Sequence, residues 1–339
     1  MKKKRRTDRR QMYKRIAVVS VVALVLIGAL IGLYIWERNH STYGGEVPDT
    51  PEETGFILNG REYELRGDVD AILILGLDTF GDAVDHSSYN NNSQADFLML
   101  LVLDHSTKTC RAIQLNRDTM ADVTVLGLGG KVVGTVHEQL ALAHTYGSGA
   151  GDSCRNTVSA VSKLLYGISI DHYFSLTMDA VSILNDMVGG VSVKLLDDFT
   201  AYDPALQQGA TVNLKGEQAL YYVRGRYGIG DSSNINRMAR QQQYLKALYH
   251  QVISFTEQDD TFSSDVVLEL NEYMISDCSV TEMDRLFDLI SSYSIGEFYS
   301  LEGTLSKGEK YMEFEIDKEA TKELVADLFY RVKSENNGN

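Results

Sequence analysis

"AILILGLD" (71–78), "DFLMLLVLD" (96–104) and "CRAIQLNRD" (110–118) are three apolar runs in quick succession, each ending at a polar turn. Runs this short, nearly continuous in apolar residues, read as strands buried on both faces. The segments that follow have a different period. "RNTVSAVSKLLYG" (155–167) and "TMDAVSILNDMVG" (177–189) carry helical spacing and stop at glycine, as helix C-termini do. Residues 214–223, 236–255, 280–293 and 317–333 also have helical spacing. Strands interleaved with helices predict an α/β sandwich, with a central mixed sheet flanked by helices.

Upstream of these runs the chain changes character. Residues 1–15 carry nine Lys or Arg against one acid, Asp8, and residues 16–36 contain no charged side chain. Twenty-one apolar residues at helical rise cover a bilayer core, and the positive flank places the N-terminus in the cytoplasm. The expectation is a basic cytoplasmic tail (1–15), a single transmembrane anchor (16–36), an extracellular linker with Gly44, Gly45, Pro48 and Pro51 (37–64) and one large domain (65–335). A cleaved signal peptide is the alternative, but its apolar stretch is usually shorter, and no small-x-small site follows Trp36.

The net charge is −15, and it becomes −23 when the first fifteen residues are set aside. Such an external surface repels nucleic acid, so no nucleic-acid partner is expected. Cys110, Cys154 and Cys278 are scattered and odd in number, giving neither a disulfide framework nor a CxxC site. One bridge with a spare thiol and three buried thiols both remain open. Two motif matches fail on spacing. "HEQLALAH" has Ala141 where a zinc-protease helix needs its second His, so polarity on a helix face is the better reading of His137. "YGSGAG" (146–151) has Asp152 where a dinucleotide fingerprint needs glycine, and reads as a loop leading into a helix.

The strand ends are more informative. Asp78 closes one run and Asp96 opens the next, so two carboxylates meet at one sheet edge, suited either to a hard cation or merely to water. A third strand end delivers Arg117 and Asp118 to the same edge. "YYVRGRYGIGDSSNINRMARQQ" (221–242) then concentrates Arg224, Arg226, Arg237 and Arg240 in a chain that is otherwise acidic. Arg224 and Arg226 leave a helix into a glycine-rich link. Arg237, Arg240 and Gln241 stand at i, i+3 and i+4 near the next helix start, where free N–H groups also favour anions. Arginine binds phosphate oxygens in pairs and keeps its proton, so the stretch reads as a polyanion site. The competing reading is that these arginines bridge acids elsewhere in the domain.

With "ADFLMLLVLD", "IQLNRDTM", "ISIDHYFSLTMDAVSILNDMVGGVSV" and "LKGEQALYYVRGR…NRMARQQ" in that order, the chain resembles the LytR-CpsA-Psr family of cell-wall assembly proteins. The resemblance runs from about residue 70 to 248. It implies a membrane-anchored enzyme, of a kind found mostly in Gram-positive bacteria. Such enzymes move a glycopolymer (teichoic acid, capsule or a related wall polymer) from a polyprenyl-pyrophosphate carrier to peptidoglycan and release lipid phosphate. It further implies that Asp78 and Asp96 hold Mg²⁺, with Asp78, Asp96 and Arg117 as the catalytic set. Arg117, Arg224, Arg226, Arg237 and Gln241, with Arg240 beside them, would contact the pyrophosphate, and an apolar interior would take the polyprenyl tail. Two segments depart from the family pattern: Gln94-Ala95-Asp96-Phe97 where Arg-Ser-Asp-Thr is usual, and Asn116-Arg117-Asp118 where Pro-Arg-Asp is usual. The polar stretch 79–95 also looks particular to this chain. A non-catalytic binder or sensor of lipid-linked intermediates, and a hydrolase of the same pyrophosphate, are the alternative functions.

Overall fold

The computed structural model describes residues 56–83, 93–127 and 130–333. The expected tail and anchor, and most of the linker, lie outside the described residues. Among those described, no helix is long and apolar enough to cross a membrane.

The three apolar runs form the centre of a six-stranded sheet. Its strands in chain order are β1 (Val69–Leu77), β2 (Ala95–Asp104), β3 (Thr109–Leu115), β4 (His172–Leu176), β5 (Met274–Ser276) and β6 (Ser294–Ser300). Across the sheet they run β5-β4-β1-β2-β3-β6. β1 with β4 and β3 with β6 pair parallel, while β1–β2, β2–β3 and β4–β5 are antiparallel, so the sheet is mixed as expected. Leu73, Leu75, Leu100 and Ile113 are fully buried among residues of the same cluster as Val161 and Val325, which lie on helices 150–164 and 318–329. Ile72 and Leu103 point the other way, towards Val267, Met283 and Leu286. Covering of both faces is why these strands lack polar alternation.

The helices are α1 (Leu142–Thr145), α2 (Ala150–Leu164), α3 (Asp179–Met187), α4 (Glu217–Arg224), α5 (Asn234–Thr256), α6 (Phe262–Leu270), α7 (Val280–Ser291) and α8 (Lys318–Phe329). Ser233 caps α5, its hydroxyl accepting from the Asn236 N–H at 3.0 Å, and this fixes where the arginine-bearing helix begins.

Two readings change, and one left open is decided. His137 lies in a strand (Val132–Gln139) that pairs with Met120–Leu126, and its ring contacts Asp122 at 2.8 Å, so it is not on a helix. The helix expected over 317–333 stops at Phe329, because Tyr330–Val332 pairs with Arg61–Leu65. The cysteines are all free and buried, and burial pushes the Cys110 and Cys154 thiols up to about 12.

Candidate active site

A β-bulge builds the first part of the site. Gly76 pairs with Phe97 and Leu77 with Ala95, which leaves Asp96 as the extra residue of β2. The extra residue breaks the in–out alternation, so Asp96 and Phe97 both line the same cavity. Gly76 permits this arrangement, since a Cβ there would lie 2.9 Å from the Phe97 Cβ. Asp78, the first residue past β1, is exposed; its Oδ1 accepts from the Gln94 N–H at 2.8 Å.

The strand-end arginine and one helix arginine close on Asp96 from two sides. Arg117 donates to Asp96 Oδ1 and, at 2.6 Å, to Gln94 Oε1. Arg237 donates to Asp96 Oδ2 at 3.1 Å and to the Asp96 carbonyl at 3.3 Å. Two further bonds from Arg237 to Asn234 Oδ1, at 3.0 and 2.7 Å, fix its plane. Burial pulls the Arg237 guanidinium below its usual pKa, and the Asp96 charge works against that pull. Asp118 stands behind Arg117, its Oδ1 3.5 Å from Arg117 Nε and 2.9 Å from Gln139 Nε2. Burial pushes the Asp118 carboxyl above its ordinary pKa, although the Arg117, Arg226 and Arg237 charges oppose this.

Arg224 ends α4 as expected, exposed at the cavity mouth with its guanidinium 5.5 Å from the Phe80 ring centre. Arg226 follows in the link, where its Nε donates to the Ser232 carbonyl at 3.2 Å. Gln241 lines the cavity and is held by the Val223 carbonyl (3.1 Å) and by Gln114 Nε2 (2.8 Å).

Arg240 goes elsewhere. It is 1 % exposed and points away from the cavity, donating to the Tyr222 carbonyl (3.1 Å), the Gly225 carbonyl, Asn236 Oδ1 and Asp197 Oδ2 (2.6 Å). The guanidinium also lies over the Phe199 ring. It therefore fastens α5 to the link that carries Arg226. The link itself is pinned: a Cβ on Gly225 would sit 2.8 Å from Phe199 Cε1 and 2.9 Å from the Tyr221 carbonyl oxygen.

Behind the charged mouth lies an apolar cavity of about 180 Å³ between the sheet and helices α3 to α6. Ile74, Leu176, Val181, Leu184, Leu245 and Leu248 are among its walls, and Asp96, Arg224, Arg237 and Gln241 are its charged and amide members, with Thr177 and Tyr244 adding hydroxyls. A cavity with cations at one end and hydrocarbon at the other fits an anionic head on an apolar tail.

The donors at the mouth bear on a hard cation. Asp78 and Asp96 offer only oxygen, and Asp78 Oδ2 has no partner among the described residues. Both Asp96 oxygens already face guanidinium groups, so a cation there needs an anionic ligand beside it to balance the charge. With a phosphate present, this donor set fits Mg²⁺.

Several members of this network were not identifiable from their sequence context. Asn234 orients Arg237, and its Nδ2 donates to Asn116 Oδ1 at 2.7 Å. Gln94 and Asn116, one from each segment that departs from the family pattern, are both bonded into the site. Asp197, the buried partner of Arg240, lies 43 residues away in sequence.

Comparison with known proteins agrees with the mixed α/β fold. The model of the LytR_cpsA_psr family matches residues 49–328. The polyisoprenyl-teichoic acid–peptidoglycan teichoic acid transferase TagU of Enterococcus faecalis is 25 % identical over 300 residues, covering 86 % of this chain and 88 % of that protein. A protein of the same name in Bacillus licheniformis is 22 % identical over 337 residues, covering 96 % and 97 %. The crystal structure of Bacillus subtilis TagV superposes with a TM-score of 0.56 at 22 % identity, covering 78 % of this chain and 98 % of that one.

Proposed function

The chain belongs to the LytR_cpsA_psr family and is a glycopolymer transferase, and we propose that its donor is a glycan on a polyprenyl pyrophosphate and its acceptor a peptidoglycan hydroxyl. The observation that carries this reading is the paired guanidinium groups of Arg117 and Arg237 at the mouth of an otherwise apolar cavity. The polyprenyl tail occupies the cavity, and the pyrophosphate replaces water at Arg117, Arg224, Arg226 and Arg237. The relatives' names, which join a polyisoprenyl-linked teichoic acid to peptidoglycan, support the same pairing of donor and acceptor. We propose further that residues 16–36 anchor the chain in the cell membrane, with the domain on its outer side.

In this mechanism the acceptor oxygen attacks the sugar-bearing phosphorus. The bond from that phosphorus to the bridging oxygen breaks, and lipid monophosphate leaves. Charge grows on the leaving phosphate, where the forked donors of Arg117 and Arg237 stand already oriented by Gln94 and Asn234. Both Asp96 oxygens already accept from guanidinium groups. Asp78, at the exposed mouth, is the better placed carboxylate for the proton of the attacking hydroxyl. A Mg²⁺ ion held by Asp78 and Asp96 would neutralise pyrophosphate oxygens when bound, and with Asp78 so engaged the hydroxyl proton would pass to solvent.

The test is to incubate purified chain with a polyprenyl-pyrophosphate glycan, Mg²⁺ and peptidoglycan, following lipid phosphate release and glycan attachment together. Coupled release and attachment are expected, and both should disappear in Arg237→Ala. Release without attachment makes the protein a hydrolase. Binding without either makes it a sensor, and absence of binding removes the proposed site.

A further inference from the structure

A second group of ligating side chains lies at the opposite end of β4 from the candidate active site. Strand rise places His172, which opens β4, about 13 Å from Leu176, which closes it beside the cavity. β5 pairs antiparallel with β4, Ser276 facing Phe174, and the same register carried on sets Asp277 near Tyr173 and Cys278 near His172. The contacts follow that register: Asp277 Oδ1 accepts from the Tyr173 N–H at 3.1 Å, and Cys278 Sγ lies 3.2 Å from His172 Nδ1. Asp277 Oδ1 is 3.6 Å from the same ring nitrogen and 3.7 Å from the sulfur.

These three atoms form a nearly equilateral triangle. Bonds of about 2.0–2.3 Å at tetrahedral angles set neighbouring N, S and O donors of zinc about 3.4–3.6 Å apart, so the triangle matches one face of a zinc tetrahedron. The imidazole is also prepared for this role. Glu282 Oε1 lies 4.0 Å from His172 Nε2, beyond hydrogen-bond reach, but its charge on that side favours the tautomer that carries the proton on Nε2 and turns the Nδ1 lone pair towards the sulfur and Asp277. Glu282 is itself placed by the start of α7, where its N–H donates to the capping Ser279 hydroxyl at 3.3 Å.

We propose that His172, Asp277 and Cys278 form a binding site for a borderline-soft divalent cation of the zinc class, with Glu282 as its positioning residue. Sulfur and imidazole together select such an ion over Mg²⁺ or Ca²⁺, so the site is chemically distinct from the all-oxygen pair Asp78 and Asp96. A Cys–His nucleophile is the rival use of the same contact. It is disfavoured because burial, reinforced by the Asp277 and Glu282 charges, opposes ionisation of this thiol, whereas reactive thiols sit in electropositive surroundings. The same negative charge is what a dication requires. On binding, the Cys278 S–H bond breaks, the thiolate sulfur bonds the metal and the proton passes to solvent. The ion would tie the three-residue edge strand β5 and the start of α7 to the central sheet, at a point where Cys278 packs with Ile72, Leu103 and Met283.

The experiment uses the full chain in detergent, stripped with a chelator and titrated with Co²⁺ in excess Mg²⁺. One equivalent should bind, with a thiolate-to-cobalt charge-transfer band and the intense visible bands of tetrahedral cobalt, and Zn²⁺ should displace it. Wild-type protein should release one proton from the thiol per Zn²⁺ bound, a measurement that needs no variant. Cys278→Ser and His172→Gln should lose the band, and Glu282→Gln should keep it with affinity about ten- to a hundredfold weaker. Asp78→Asn should leave the titration unchanged. No saturable band in the wild type, or an unaltered band in Cys278→Ser, overturns the proposal.

Discussion

Arg240 and Arg237 lie three residues apart on one helix, and the structure uses them for opposite purposes. Arg240 spends its donors on protein: two backbone carbonyls, Asn236 and the buried Asp197. Replacing it with alanine strands the Asp197 charge and unpins Gly225, which should cost about 3–5 kcal/mol of stability. Arg224→Ala, at an exposed position, should stay within about 0.5 kcal/mol of wild type while losing donor affinity. Chemical denaturation of the two variants checks this, and equal stabilities would return Arg240 to the ligand. Asp118 gives a pH signature. Its folded pKa is raised from 3.8 by burial, so the native state holds a proton that the unfolded state has already released. Stability from this group is therefore present below about pH 3.8 and lost as pH rises through the folded pKa, by at most about 1.4 kcal/mol per unit. Asp118→Asn should remove that decline. Denaturation midpoints of the two proteins, compared from acid to neutral pH, should converge at the acid end.

At the scale of elements, the deeply buried strands were legible from sequence because covering on both faces removes polar alternation. β1, β2 and β3 begin and end within about three residues of the apolar runs. The hairpins were not legible. Val132–Gln139 buries only its last residue, and no apolar run marks a strand whose side chains are mostly solvated. The final helix was read four residues too long because "FYRVK" has helical spacing, and only pairing with Arg61–Leu65 makes Tyr330–Val332 extended. The same limit applies to the site: Asp96 and the arginines stood out, but their pairing spans 21 residues for Arg117 and 141 for Arg237. The cavity exists because helices α3 to α6 leave the sheet uncovered near Ile74, and this gap yields a further prediction. Val181→Trp, on the α3 wall, should fill the space and weaken binding of a long-chain polyprenyl pyrophosphate at least about tenfold, since each buried methylene is worth about 0.8 kcal/mol. Inorganic pyrophosphate binding should change little. Calorimetry with both ligands decides it, and equal losses would mean that the tail lies elsewhere.

For the whole molecule, the proposed anchor and the charge balance bear on each other. Outside residues 1–15 the net charge is −23, which an anionic membrane surface repels, yet the proposed donor sits in that membrane. A tether in residues 16–36 resolves the conflict by confining enzyme and donor to one plane, where effective concentrations reach the millimolar range. The cavity and its arginines all lie between residues 74 and 270, downstream in sequence of the proposed tether. A chain beginning at residue 37 should therefore turn over a soluble short-chain donor at a rate within about twofold of the full chain, because none of the groups that bind it has been removed. On vesicles with anionic lipid and an embedded long-chain donor it should lose at least about tenfold, since its approach is now bimolecular and opposed by charge. Raising the salt should recover part of that loss for the shortened chain and none for the full one, because screening relieves only the repulsion. Rates measured with both donors at low and high ionic strength test this, and a shortened chain equal to the full one on vesicles would show that the N-terminal segment does not act as the tether.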